Sequence, residues 1–333
     1  MSSFIEVTGL SKRFATDQRR DGRRLEVHAV SDVDLDIARG EVVALVGESG
    51  SGKTTLGRLM LRLIEPSSGA IRFDGVDITS LPAAEMRRLR RRMQIVFQDP
   101  FSSLNPHLRI GEAIAEPIQI HRLATGPALA ARVDALLDRV GLPRTARERF
   151  PHEFSGGQRQ RIAIARALAP EPDFIVADEA VAALDVSIQA QILNLLADLR
   201  ADLNLTMLFI SHDLGVVQHI ADRVAVMYLG RIVEIGDGAR VMRDPVHPYT
   251  QALVVAAPSL DARRRNRPSP LPGDPPSPLD PPPGCSFASR CPIAEEACKR
   301  DRPVLKPVAD GLAACFKTRS TPHKDPKEPA HAA

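Results

Sequence analysis

Apolar and polar residues alternate through LEVHAVSDVDLDIARGE and then give way to an unbroken apolar run, Val42 to Val46, that ends at a glycine. Alternation suits half-buried antiparallel strands, whereas a short continuous run suits a strand covered on both faces. Gln94 to Phe97, Phe174 to Ala177, Met207 to Ile210 and Val224 to Met227 read as further buried strands, separated by helical patterns such as Ile188 to Leu199. The pattern therefore predicts an α/β fold with helices over the sheet. Between Leu104 and Leu168 the strand signal fades and helical periodicity dominates, as in PALAARVDALLDRVG, so a helical subdomain over about residues 104–168 is expected inside the core. PSPLPGDPPSPLDPPPG cannot form the interior of a helix or sheet and reads as an extended linker. The expected division is a core over 1–256, a proline-rich linker over 257–284, a small cysteine-bearing module over 285–318 and a disordered polar tail over 319–333.

Composition narrows the class. With 333 residues, 44% of them hydrophobic, the chain has ample material for a buried core. It has no apolar run long enough to span a bilayer, and MSSFIEV lacks the basic-then-apolar pattern of a signal peptide, so a cytoplasmic location is expected. Any membrane role would then come through a partner. The net charge of +3 is small and the arginine clusters lie among acids, as on solvated faces, so nucleic-acid binding is not expected.

Two segments carry chemistry. Gly47, Glu48, Ser49, Gly50, Ser51, Gly52, Lys53, Thr54 and Thr55 follow the buried strand and open a helix, the setting that gives G-x4-G-K-[ST] its meaning. Backbone N–H groups of such a loop face a phosphate, and the helix N-terminus adds partial positive charge. Lys53 would reach the outer phosphates and Thr54 would ligate Mg2+. DFIVADEA is a second apolar strand ending in two acids, of which Asp178 is placed to hold the Mg2+ shell and Glu179 to polarise a water. Together they indicate nucleotide hydrolysis, a property shared by motors, switches and kinases.

FSGGQRQR, residues 154–161, decides among these. It resembles the signature motif of ABC-type ATPases, and the resemblance implies that Ser155, Gly156, Gly157 and Gln158 bind the γ-phosphate of ATP held by a second subunit, in a head-to-tail dimer. Glycines allow close backbone approach and a helix start favours an anion. Other motifs of the family follow in order. Gln98 in VFQDP resembles the glutamine that approaches Mg2+ and the attacking water, Leu184 and Asp185 resemble the D-loop, and His212 in ISHDL resembles the switch histidine. Phe14 in LSKRF stands where the family stacks an aromatic ring on adenine, or is an ordinary core phenylalanine. Ala180 and Ala182 replace the proline and serine common in the family; neither change removes a charge or a Mg2+ ligand, so hydrolysis is expected and communication between the two ATP sites is the property in question.

Over nearly the whole chain the similarity is to ATP-binding subunits of oligopeptide and dipeptide importers, carried by FQDPFSSLNP, LDVSIQAQILNLL, SHDLGVVQHIADRVAVMYLGRIVE, HPYTQAL and PSPLDPPPGCSFASRCPIAEEAC. DVSIQAQ looks more like the F-type subunit than its D-type partner. The resemblance implies a heterodimer of ATPases at the cytoplasmic face of the membrane, two permease subunits and an extracytoplasmic solute-binding protein. An importer of another solute such as nickel or glutathione is the alternative, and a soluble regulatory or DNA-associated ATPase is the alternative of a different class. HPYTQAL reads as a loop and amphipathic helix with no chemistry assigned. Cys285, Cys291, Cys298 and Cys315 are the chain's only cysteines. In a reducing compartment they read as ligands of Zn2+ or an iron–sulfur cluster, or else as free thiols. Some members of the family carry a [4Fe–4S] cluster in a similar module, which implies one here.

Overall fold

A computed structural model describes residues 3–20, 23–256, 273–308 and 310–318. Its strands, in chain order, are β1 (Ile5–Arg20), β2 (Arg23–Ile37), β3 (Val42–Val46), β4 (Ser68–Phe73), β5 (Val76–Asp77), β6 (Met93–Val96), β7 (Phe174–Asp178), β8 (Thr206–Ser211), β9 (Arg223–Tyr228), β10 (Arg231–Asp237), β11 (Lys306–Val308) and β12 (Gly311–Ala313). They form an antiparallel sheet of order β2-β1-β4-β5 and a larger sheet of order β11-β12-β10-β9-β3-β8-β7-β6. In the larger sheet β9, β3, β8, β7 and β6 run parallel.

The unbroken apolar run of β3 is explained by its place in the middle of that sheet. Val42, Ala44 and Val46 face a core shared with the helices, while Val43 and Leu45 face a second core beneath the antiparallel sheet. A strand flanked by two cores has no polar face. Each buried strand expected from the sequence is present, β6 beginning one residue earlier than the apolar run suggested. Between Val96 and Phe174 the described residues form helices, chiefly Ile110–Ile120, Gly126–Arg139 and Gly156–Leu168, with short 3-10 turns between.

The C-terminal region differs from a module set apart by a linker. Strand β12 pairs antiparallel with β10, matching Ala313 with Glu234 and Gly311 with Gly236, and β11 pairs with β12. The segment thus extends the main sheet. Residues 273–284 lie outside helix and strand as expected, and the His28 N–H donates to the Pro278 carbonyl across 3.0 Å, so this stretch runs beside β2. Residues 257–272 of the expected linker and the whole expected tail, 319–333, fall outside the described residues. Among the described residues no helix is long and apolar enough to cross a membrane.

Candidate nucleotide site

The loop after β3 wraps the start of helix Lys53–Met60. Gly52 caps this helix at φ +104°, and Gly50 has φ +76°, conformations that L side chains rarely adopt. Lys53 is buried and donates to the loop's own carbonyls, Gly47 O at 2.9 Å and Glu48 O at 3.0 Å. Burial lowers its affinity for a proton, with Glu179, Asp178 and Glu48 acting in the opposite direction. The Ser51 hydroxyl is buried without a hydrogen-bond partner. A buried orphan hydroxyl beside a lysine and a helix start fits a phosphate oxygen.

Across from the loop, the Thr54 hydroxyl donates to Asp178 Oδ1 at 2.8 Å. Asp178 ends β7, and burial pushes its carboxyl up while the Thr54 bond opposes the shift. A hydroxyl and a carboxylate so paired are hard oxygen donors of the kind Mg2+ takes alongside water and phosphate. The next residue, Glu179, has φ +48°, uncommon for a side chain of this type, and its N–H is held by the Ile210 carbonyl of β8 at 3.0 Å. This turn brings its carboxylate to Gln98 Nε2 at 2.9 Å and His212 Nδ1 at 3.5 Å. Three side chains that the sequence scatters over more than a hundred positions therefore converge beside the phosphate loop.

Residues 155–158 show what their pattern does locally. Ser155 caps helix Gly156–Leu168, its hydroxyl accepting from the Gln158 N–H, while the Gln158 side chain accepts from the Ser155 N–H at 3.0 Å. This reciprocal cap offsets the poor helix propensity of the glycines. Gly157 is buried, and a Cβ there would lie 2.4 Å from Ile188 Cγ2, so its missing side chain serves packing against helix Val186–Leu203. Ser155 and Gln158 are exposed. Asp185 caps that second helix through the Ile188 N–H. Phe14 is 40% exposed on β1 with Lys12 Nζ 5.0 Å from its ring centre, which excludes a core role.

Residues 30–182 match the ABC transporter family and residues 233–298 the oligopeptide/dipeptide transporter C-terminal region. A peptide import ATP-binding protein of Brucella ovis is 54% identical over 94% of this chain and 97% of its own length. The chain belongs to the ABC transporter family of ATP-binding proteins. A peptide ABC transporter ATP-binding protein of Sinorhizobium fredii is 51% identical over 88% of this chain and 83% of its own. Among solved structures, the dimeric ATP-binding cassette MJ0796 in a post-hydrolysis state with ADP and Pi superposes with a TM-score of 0.63 at 28% identity, covering 70% of this chain and 98% of that one. The cbiO1 protein of Clostridium perfringens, part of the ABC transporter complex cbiONQ, gives 0.64 at 30% identity, covering 73% and 92%. This ABC ATPase is thus an ATP hydrolase.

The HPY segment of the ABC ATPase, which the sequence left without chemistry, touches the loop. Tyr249 Oη accepts from the Glu48 N–H at 2.9 Å, and Tyr249, Tyr228 and Phe287 pack ring against ring at 4.6–5.4 Å. His247 is 1% exposed; its Nδ1 accepts from the Tyr249 N–H at 3.1 Å, and the ring meets the Ala314 backbone after β12. Burial lowers the His247 pKa from 6.5 to about 4. The unfolded chain then binds a proton as pH falls below 6.5 while the folded chain does not until about 4. Stability from this group is complete above the first value and lost towards the second, an effect of ~3 kcal/mol. Urea unfolding at pH 7 and pH 4.5 is expected to show this fall, and His247→Gln to remove most of it.

The four cysteines line one small pocket with Phe287 and His247. Burial pushes the Cys285 and Cys291 thiols up. Among the described residues no three or more His, Cys, Asp or Glu side chains stand in metal-holding geometry. The expected [4Fe–4S] cluster or Zn2+ finds no support in this donor set, and the cysteines enter no step below.

Proposed function

We propose that this chain is the ATP-hydrolysing subunit of a peptide importer, working at the cytoplasmic face of the membrane beneath permease subunits. One observation carries the chemical part of the reading: Glu179 is held by Gln98 and His212 beside the Lys53 loop. The peptide-import names of relatives that match almost end to end, and the match to the transporter C-terminal region, support the substrate class.

In this reading Gly47 to Thr55 wrap the triphosphate. Incoming phosphate oxygens replace the Gly47 and Glu48 carbonyls at Lys53 and satisfy Ser51. Thr54 and Asp178, together with Gln98, would hold Mg2+, which would offset charge on the phosphates. Glu179 accepts a proton from the attacking water, Gln98 orients that water, and His212 steadies the Glu179 carboxylate and contacts the outer phosphate. Phe14 offers an exposed ring for adenine. Ser155, Gly156 and Gln158 lie at the surface, at the positively polarised start of a helix, and Gly157 lets that helix pack closely; the turn acts on the nucleotide of a second ATPase subunit. The dimeric state of the similar cassette MJ0796 supports that pairing. A D-type paralogue as the second subunit and an extracytoplasmic solute-binding protein complete the proposed machine.

A groove between β6 and the helical part supports contact with a permease. It is lined by Ile95, Phe97, Pro117 and Ile120, of which Ile120 is 63% exposed, and Phe97 directly precedes Gln98 in the chain. A cytoplasmic segment of the permease seated there would feel movements of Gln98. Uptake of labelled dipeptides and longer peptides by cells, with and without the Lys53→Ala substitution at equal expression, tests the proposal. Loss of peptide uptake is expected; unchanged peptide uptake with loss of uptake of another solute overturns the substrate assignment.

A further inference from the structure

The C-terminal segment grips the phosphate loop through one side chain. Arg290 ends the turn Ala288–Arg290, is 6% exposed, and meets the Glu48 carboxylate with both arms of its guanidinium, Nη1 to Oε2 at 2.8 Å and Nη2 to Oε1 at 3.1 Å. Nη1 also lies 3.4 Å from Tyr228 Oη. Paired in this bidentate way, an arginine fixes the carboxylate plane as well as cancelling its charge. Glu48 is therefore held at two points from the C-terminal half, its side chain by Arg290 and its N–H by Tyr249.

The pairing matters because of where Glu48 sits. It is the second residue of a loop whose task is to bind a polyanion, and its carboxylate is close enough to act on Lys53. An unpaired carboxylate at that spot would repel the triphosphate, most strongly where water is thinned by burial. Nothing else on the loop explains why an acid is tolerated there. We propose that Arg290 is a positioning residue of the ATP site: by neutralising and orienting Glu48 it makes the C-terminal segment a working part of the phosphate loop. The inference rests on the reading of Gly47 to Thr55 as the ATP-binding loop.

Equilibrium binding of Mg-ATP to the purified full-length chain, with its thermal unfolding midpoint, separates charge cancellation from simple support. Arg290→Gln is expected to weaken ATP binding about tenfold. Glu48→Gln serves as the reference, and the Arg290→Gln/Glu48→Gln pair is expected to bind ATP within about threefold of Glu48→Gln, since no charge remains to cancel. Unchanged affinity in Arg290→Gln, or a double variant as weak as Arg290→Gln alone, overturns the proposal. Should Arg290→Gln not fold, Arg290→Lys carries the test: it keeps the charge and is expected to stay within about threefold, and a tenfold loss overturns the charge argument. Failure of the unsubstituted chain to bind ATP would instead sink the reading of the loop.

Discussion

Glu179→Gln is expected to leave ATP binding within about threefold and to slow hydrolysis by ~10²–10⁴-fold in the assembled transporter, the range a positioned general base contributes. The substitution is nearly isosteric, and the amide oxygen of the new side chain can still accept from Gln98 Nε2, which now reaches Glu179 Oε2 at 2.9 Å. The turn should persist too, because the backbone bond to Ile210 is independent of the side chain. What disappears is the group able to take a proton from water. Steady-state phosphate release and ATP affinity, measured together, check the split; turnover within a few-fold of normal would reassign the base, with His212 the next group to substitute.

The second large effect is Gly52→Ala. A Cβ at this position would stand 2.2 Å from the Ala29 carbonyl oxygen of β2 and 3.0 Å from Met227 Cε, in a residue with φ +104°. A side-chain end can move aside; the Ala29 carbonyl, between the paired residues His28 and Val30, moves only with the strand backbone. Positive φ adds a further penalty for an L side chain, of order 1–3 kcal/mol. The loop must then shift away from β2, carrying Lys53 and Thr54 with it. Loss of ATP binding by more than tenfold and a fall in stability of ~2–4 kcal/mol are expected from titration and urea unfolding. Normal ATP affinity in Gly52→Ala would mean that the loop in solution has a different path.

The phosphate loop and the acids after β7 were legible because local order carries them: a buried strand, a turn, then a helix or a charged end. The parallel strands were legible for the same reason, as in β3, whose continuous apolar run announces a covered strand. Ser155 to Gln158 was read as a phosphate-binding signature, although S-x-x-Q before an apolar helix is itself a capping signal; the packing of Gly157 on Ile188 has no such local sign. The grip of Arg290 and Tyr249 on Glu48 could not be read at all, since it joins residues 242 and 201 positions apart and depends on tertiary folding. Strands β11 and β12 have three residues each, too few to display a period, and their register is dictated by β10. For the cysteines, clustering in sequence suggested ligation, while among the described residues no three such side chains stand in metal-holding geometry.

The order of strands in the main sheet sets a timetable for synthesis. Strand β3 leaves the ribosome early, yet both of its neighbours, β8 and β9, belong to residues Thr206–Tyr228, and Val42 has no strand partner until Met207 has been made. At roughly 5–20 residues per second that wait lasts many seconds, during which an apolar strand and the loop that follows it have nothing to pair with. A nascent chain arrested anywhere before β8 would hold the phosphate loop without the sheet that shapes it. Newborn copies are thus natural clients for chaperones, and ATP can be gripped only once translation is well past the midpoint of the message.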